Sequence, residues 1–249
     1  NLVRYRLDRL DAARALARRQ NLCGARYPWM SGEDGSEQCE SWDIGLCETH
    51  ITADVAYAAD RYREITGDGT LDGALSQLYL ETARYWLSRF TWEPDRNQYS
   101  SFFVKGPDEY CGAAVNNTFT NYLARHNVRL ALRHAAMDGG ERGRLKHFEE
   151  HVALLYDPKR HLYLQDELFD RLEPMPDGHA QGEPLYKSVC FDRMQRYRAL
   201  KQADLVQLMT MFPDDFSDGE KRAVWDRYEP LTVHDSSLSF GIHALLAFR

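Results

Sequence analysis

Apolar residues recur at intervals of three and four over eight stretches of this chain, and long polar connections separate the stretches. Leu7, Leu10, Ala13, Leu16 and Ala17 form the first stripe, which predicts an amphipathic helix over 7–19. Ile51, Val55, Ala58, Ala59 and Tyr62 mark a second helix over 48–66, with Gly67 as its stop. Leu71, Leu75, Leu78, Thr82, Tyr85 and Arg89 share one face of a third, 71–90. The same pattern predicts helices at 116–137, ended by Asp138-Gly139-Gly140, and at 141–156, 200–212, 218–227 and 236–248. The connections are 22–47, 91–115 and 157–199, and strand-like runs from Tyr99 to Val104 and from His161 to Leu168 fall inside the last two. Loops this long are uncommon unless they are functional. No Ser/Gly or Pro linker divides the chain, so a single helical domain over 1–249 is expected, built of helical hairpins with the loops gathered at one end.

Composition removes several function classes. With 31 Lys+Arg against 38 Asp+Glu the net charge is −7, which lacks the basic footprint of a nucleic-acid binder. No apolar run approaches the ~20 residues of a membrane span, and the opening NLVRYRLDRL is too charged for a signal peptide. Five scattered cysteines (Cys23, Cys39, Cys47, Cys111, Cys190) do not form a disulfide framework, so a reducing, cytoplasmic setting is expected.

Two local patterns carry chemistry. In Gly106-Pro107-Asp108-Glu109-Tyr110, two carboxylates sit between a turn and an aromatic. They read either as solvated turn acids or as a carboxylic acid poised for proton donation. The run His234-Asp235-Ser236-Ser237 stands before the last helix. It reads either as an ordinary N-cap or as an anion site of hydroxyls and free N–H groups. Lys201 and Gln202, at the start of another helix, would add a charge and an amide. His147 and His151 share a helix face, but Phe148 replaces the Glu a zinc protease needs. No CxxC, GxGxxG, GxxxxGK[ST] or GxSxG occurs, so neither a metal nor a nucleotide is expected.

Four blocks, in order, extend this reading. They are Gly24-Ala25-Arg26-Tyr27-Pro28-Trp29 through Trp42-Asp43 and Glu48–Tyr57; Gly106–Tyr110 with Asn116-Asn117 and Thr120-Asn121; Lys201-Gln202-Ala203-Asp204-Leu205-Val206; and Tyr228-Glu229-Pro230 with His234–Ser239 and Ile242-His243. Together they resemble the catalytic domain of glycoside hydrolase family 65, the inverting maltose, kojibiose, nigerose and trehalose phosphorylases. The resemblance implies an all-α, six-hairpin (α/α)6 toroid with short β segments in its long loops. It also implies a longer parent chain, because eight predicted helices are fewer than the twelve of a whole toroid. Family membership would make Glu109 the general acid. Lys201, Gln202, Ser236 and Ser237 would bind phosphate, with His234 and His243 beside them. Trp42, Glu48 and His50 from the first block, and Asp108 and Tyr110 flanking the acid, are the candidates for sugar contacts.

The reaction so implied is inverting phosphorolysis of an α-glucosyl disaccharide to β-glucose 1-phosphate and a free sugar. An inverting hydrolase needs a second carboxylate to activate water; phosphate is already an anionic nucleophile. The partners would be a disaccharide and phosphate, with no metal or organic cofactor, no nucleic acid and no membrane, and a homodimer is common in the family. An inverting hydrolase on the same scaffold, or a silent sugar- or protein-binding domain, are the alternatives. The chain departs from the family at Cys111-Gly112, Val115 and Leu231.

Overall fold

A computed structural model describes residues 2–175 and 184–248. The protein is mostly helical, as the periodicities require. Its residues group into two compact units: Asn1–Val104 with Thr120–Ala153, and Lys105–Phe119 with Leu154–Arg249.

In the first unit the predicted 7–19 helix is Leu10–Arg19, preceded by the short helix Leu2–Leu7, and it buries Leu10, Ala13, Leu16 and Ala17 as the stripe demands. Ile51–Thr66 ends at Gly67, whose left-handed backbone (φ 64°) lets its N–H reach the Arg63 carbonyl. Helix Asp72–Arg89 packs on it and buries Leu75, Leu78, Thr82 and Tyr85 from the predicted stripe, with Tyr79, Ala83 and Trp86 beside them. Thr118–His134 and Gly139–His151 follow; Asp138 caps the second by accepting the Glu141 N–H. The run predicted as one strand is interrupted. Gln98–Ser100 pairs antiparallel with Thr91–Glu93, and Phe102–Val104 begins again after Ser101, with Phe103 at φ +54°.

In the second unit the strand-like run from His161 shrinks to Leu162–Tyr163, paired with Tyr156–Asp157. His161 itself has a positive φ (49°), which belongs to a turn and not to a strand. Asp218–Tyr228 opens with a capping box between Ser217 and Glu220. It and Ser237–Ala247 pack on Asp204–Met211, whose Leu205, Val206, Leu208 and Met209 are buried. The 157–199 connection holds two helical turns, Leu185–Ser188 and Phe191–Met194; its Pro- and Gly-rich part between 176 and 183 lies outside the described residues. No helix among the described residues is long and apolar enough to cross a membrane.

Candidate active site

The last three motif blocks meet inside the second unit, and backbone pairing brings them there. The Leu200 N–H donates to the Leu231 carbonyl (2.9 Å), and the Val233 N–H donates to the Leu200 carbonyl (2.8 Å). The segment leading to Lys201 therefore lies alongside the one leading to His234 and the two serines. The predicted helix at 200–212 begins later, at Asp204. Lys201 and Gln202 precede it in a bend because each is tied elsewhere. The Lys201 N–H donates to Asp108 Oδ1 (2.8 Å), and Gln202 Nε2 donates to the Pro107 carbonyl (2.7 Å). They are thus loop residues, not helix-starting ones.

Lys201 Nζ donates to Glu109 Oε2 at 2.8 Å, with both side chains only partly exposed (22% and 27%). The predicted acid and the predicted phosphate cation are neighbours. Tyr110 is buried and donates its hydroxyl to Asp235, which also accepts the Leu185 N–H; burial, reinforced by the Asp235 charge, pushes the phenol well above its usual range. Asp108 is wholly buried, with its carboxyl turned toward backbone N–H groups. Burial first, and then the nearby charge of Asp204, raise it well above the ordinary carboxylate range.

At the other edge of this site Ser236 is the N-cap of Ser237–Ala247 and accepts the Leu238 N–H, while Ser237 is exposed. His234 has a left-handed backbone (φ 54°). Its Nδ1 lies 2.9 Å from Ser239 Oγ, and its ring stacks on Phe240. The His243 ring meets it edge-on at 4.6 Å; it is 5% exposed, and neither ring nitrogen has a hydrogen-bond partner among the described residues. Burial, then the His234 charge, lower its pKa to about 4, so it is neutral at physiological pH. Donor atoms of Glu229, His234 and His243 lie within 4.8 Å of one another, the one such grouping of possible metal ligands among the described residues.

The first motif block stands in the first unit. Glu48 and His50 are buried there together (3% and 5% exposed). Trp29 donates its indole N–H to Glu48 Oε2 (2.6 Å), and His50 Nδ1 lies 2.6 Å from Asp54 Oδ2. Burial lowers the His50 pKa, but the charges and hydrogen bonds of Asp54 and Glu48 outweigh it and raise it to about 10. Arg26, also buried, caps the short helix Trp42–Cys47 by donating to the Gly45 and Leu46 carbonyls. Trp42 is 73% exposed.

Sequence reasoning missed the residue on which the second-unit site turns. Asp204 Oδ1 accepts the Asp108 N–H (2.7 Å), and Oδ2 accepts Asn117 Nδ2 and Gln165 Nε2 (2.8 Å each). An acidic residue in a first helical turn is commonplace, and that ordinary reading conceals it. Its place in the third motif block is one sequence signal, and Gly106 is another, since it has no room for a side chain: a Cβ there would stand 1.9 Å from Asp204 Oδ2.

The family description "Glycosyl hydrolase family 65 central catalytic domain" matches residues 1–249. The chain belongs to this family. It is 32% identical to a kojibiose phosphorylase of Halothermothrix orenii over 98% of its own length and 36% of the relative's. It is 31% identical to a maltose phosphorylase of Bacillus subtilis, covering 99% of this chain and 34% of that one. With an alpha,alpha-trehalose phosphorylase of Thermoanaerobacter brockii it shares 32% identity, over 99% and 34%. A solved structure from the human microbiome, assigned as a kojibiose phosphorylase, superposes with a TM-score of 0.89 at 26% identity, over 99% of this chain and 36% of that one. The family 65 resemblance and the helical-toroid fold class read from the motif blocks are therefore correct. The chain spans about a third of the length of these relatives.

Proposed function

We propose that the protein carries the catalytic centre of an inverting disaccharide phosphorylase, which converts an α-glucosyl disaccharide and phosphate into β-glucose 1-phosphate and a free sugar. The observation that carries this reading is the 2.8 Å contact between Lys201 Nζ and Glu109 Oε2. An anion drawn to Lys201 sits beside the acid, so nucleophile and proton donor are delivered to one bond. Gln202, Ser236 and Ser237, with His234 and His243 behind them, complete the phosphate pocket. The positive end of the Ser237–Ala247 helix dipole adds to it.

A phosphate oxygen attacks the anomeric carbon from the face opposite the leaving sugar. The glycosidic C–O bond breaks, and Glu109 gives its proton to the departing oxygen. Positioning the reactants in line lowers the entropic part of the barrier, and Lys201 offsets the phosphate charge. No step draws on a metal or organic cofactor. Trp42, Glu48 and His50 are proposed for the sugar side. The names of the relatives support kojibiose, maltose and trehalose as the substrates to try. A hydrolase would need a general base near the pocket, and Asp235 is already engaged by Tyr110 and the Leu185 N–H. Five free cysteines fit a reducing, cytoplasmic setting.

The test is incubation with kojibiose, nigerose, maltose and trehalose, each with and without phosphate, assayed for glucose 1-phosphate beside Glu109→Gln. Product that requires phosphate and vanishes in the variant is expected. Free glucose without phosphate would establish the hydrolase instead, and no product with any sugar would refute both.

A further inference from the structure

The main chain on both sides of Glu109 is bolted to buried carboxyl groups. The N–H before it, of Asp108, goes to Asp204 Oδ1 (2.7 Å); the N–H after it, of Tyr110, goes to Asp108 Oδ1 (3.2 Å). The same Asp108 oxygen accepts the N–H of Lys201 at 2.8 Å. Two residues proposed to act on the substrate, 92 positions apart in sequence, are thus hung by their backbones from one pair of aspartates. Both aspartates are fully buried, and Asp204 is itself fixed by amides from Asn117 and Gln165.

We propose that Asp204, acting with Asp108, is a positioning residue of the reaction: it sets the distance between the Glu109 carboxyl and the Lys201 ammonium. This rests on the phosphorylase reading above. Burying two acids side by side is a costly way to join loops, because charge out of water is expensive and apolar packing would do the same work at less cost. What carboxyl oxygens supply and methyl groups do not is direction. Each N–H aims at one oxygen, and the backbone on either side of the acid cannot rotate without breaking a bond. Burial first, and then the Asp204 charge, favour the protonated form of Asp108, while Asp204 accepts from the Asp108 N–H and from the amides of Asn117 and Gln165. The other ionisable groups acting on Asp108 include Lys105, whose charge opposes the rise. Asp108 Oδ2 has no hydrogen-bond partner among the described residues and is the natural seat of the proton.

Asp204→Asn tests this. The side-chain amide then points a donor either at Asn117 and Gln165 or at the Asp108 N–H, and the acid loop loses its anchor. Because Glu109 and Lys201 move together, kcat should fall and the KM for phosphate should rise in the same variant, by about tenfold to a hundredfold in kcat/KM. Added to Lys201→Met, the substitution should raise the phosphate KM no further, since the ammonium it positions is gone. A purely structural role would lower the melting temperature but leave the two effects additive. Wild-type constants in a folded Asp204→Asn protein, or additivity with Lys201→Met, would overturn the inference. If Asp204→Asn does not fold, Gln165→Ala, which removes one donor to Asp204 Oδ2, decides by the same two readouts, expected about threefold to tenfold. A wild-type protein that makes no glucose 1-phosphate refutes the phosphorylase reading and this inference with it; an active wild type with an indifferent variant refutes the inference alone.

Discussion

Gly106→Ala should cost more stability than almost any other single methyl group added to this protein. The backbone of Gly106 does not lie in the left-handed region, so the argument is about space and not conformation. A Cβ would stand 1.9 Å from Asp204 Oδ2, 2.6 Å from its Cγ and 2.8 Å from Asn117 Nδ2. Contacts under 3.0 Å do not persist, so the carboxylate or the loop must retreat by roughly 1 Å. Oδ2 cannot retreat and keep its bonds from both Asn117 and Gln165 at 2.8 Å. Each hydrogen bond to a charged group contributes about 1.5–3 kcal/mol. Losing two costs about 3–6 kcal/mol, against about 0.4–1 kcal/mol gained from a stiffer unfolded chain. The net loss, about 2–6 kcal/mol, corresponds to a fall of roughly 4–20 °C in Tm. Urea and thermal denaturation followed by circular dichroism measure it. Gly143→Ala is the control: it lies inside helix Gly139–His151 with nothing within 4 Å of the added carbon, and should stabilise slightly. A loss below about 1 kcal/mol in Gly106→Ala, or an equal loss in both variants, would show that the Asp204 cradle yields to an added methyl group.

Other consequences follow from charge and burial. His50, raised to about 10, contributes stability that is complete below its ordinary value of 6.5 and is lost as pH rises toward 10. Asp54→Asn should therefore lower Tm at pH 7 and flatten its decline between pH 7 and 10; an unchanged slope would refute the pairing. Among the thiols, Cys23 and Cys190 are exposed, whereas Cys47 and Cys111 are buried, and burial first, then the charge of Asp166, pushes the Cys111 thiol up. Iodoacetamide should label the first two in the native protein and the buried pair only after unfolding, which peptide mass mapping reads directly.

The helices were legible because burial follows a period that sequence displays: the 71–89 stripe reappears as a buried face, whereas of the 51–62 stripe only Val55 and Ala59 are buried, the buried face lying beside it at Thr52, Ala53, Ala56 and Asp60. Boundaries were less so. Nothing in Lys201-Gln202 announces that its backbone is claimed by Asp108, so the predicted helix begins four residues early. The strand from His161 failed because a positive φ at its first residue turns the chain, which an apolar-alternating pattern does not reveal. Glu109, Lys201 and the two serines came from motifs joined in order, and the structure gathers their segments in one unit. Asp204 escaped because its partners at 108, 117 and 165 are separated from it by tens of residues, and no spacing rule links them.

That separation has a kinetic meaning. The bonds from Asp108 to Asp204, Lys201 to Asp108, Gln202 to Pro107 and Asn117 to Asp204 each close a loop of 96, 93, 95 and 87 residues. Loop-closure entropy grows only with the logarithm of length, and it is charged once: after the first contact forms, the other three close loops of a few residues. The candidate site is therefore expected to assemble in one cooperative step and to open the same way. Amide hydrogens of Asp108, Tyr110 and Lys201 should exchange together, with one opening free energy, although two of them lie far from the third along the chain.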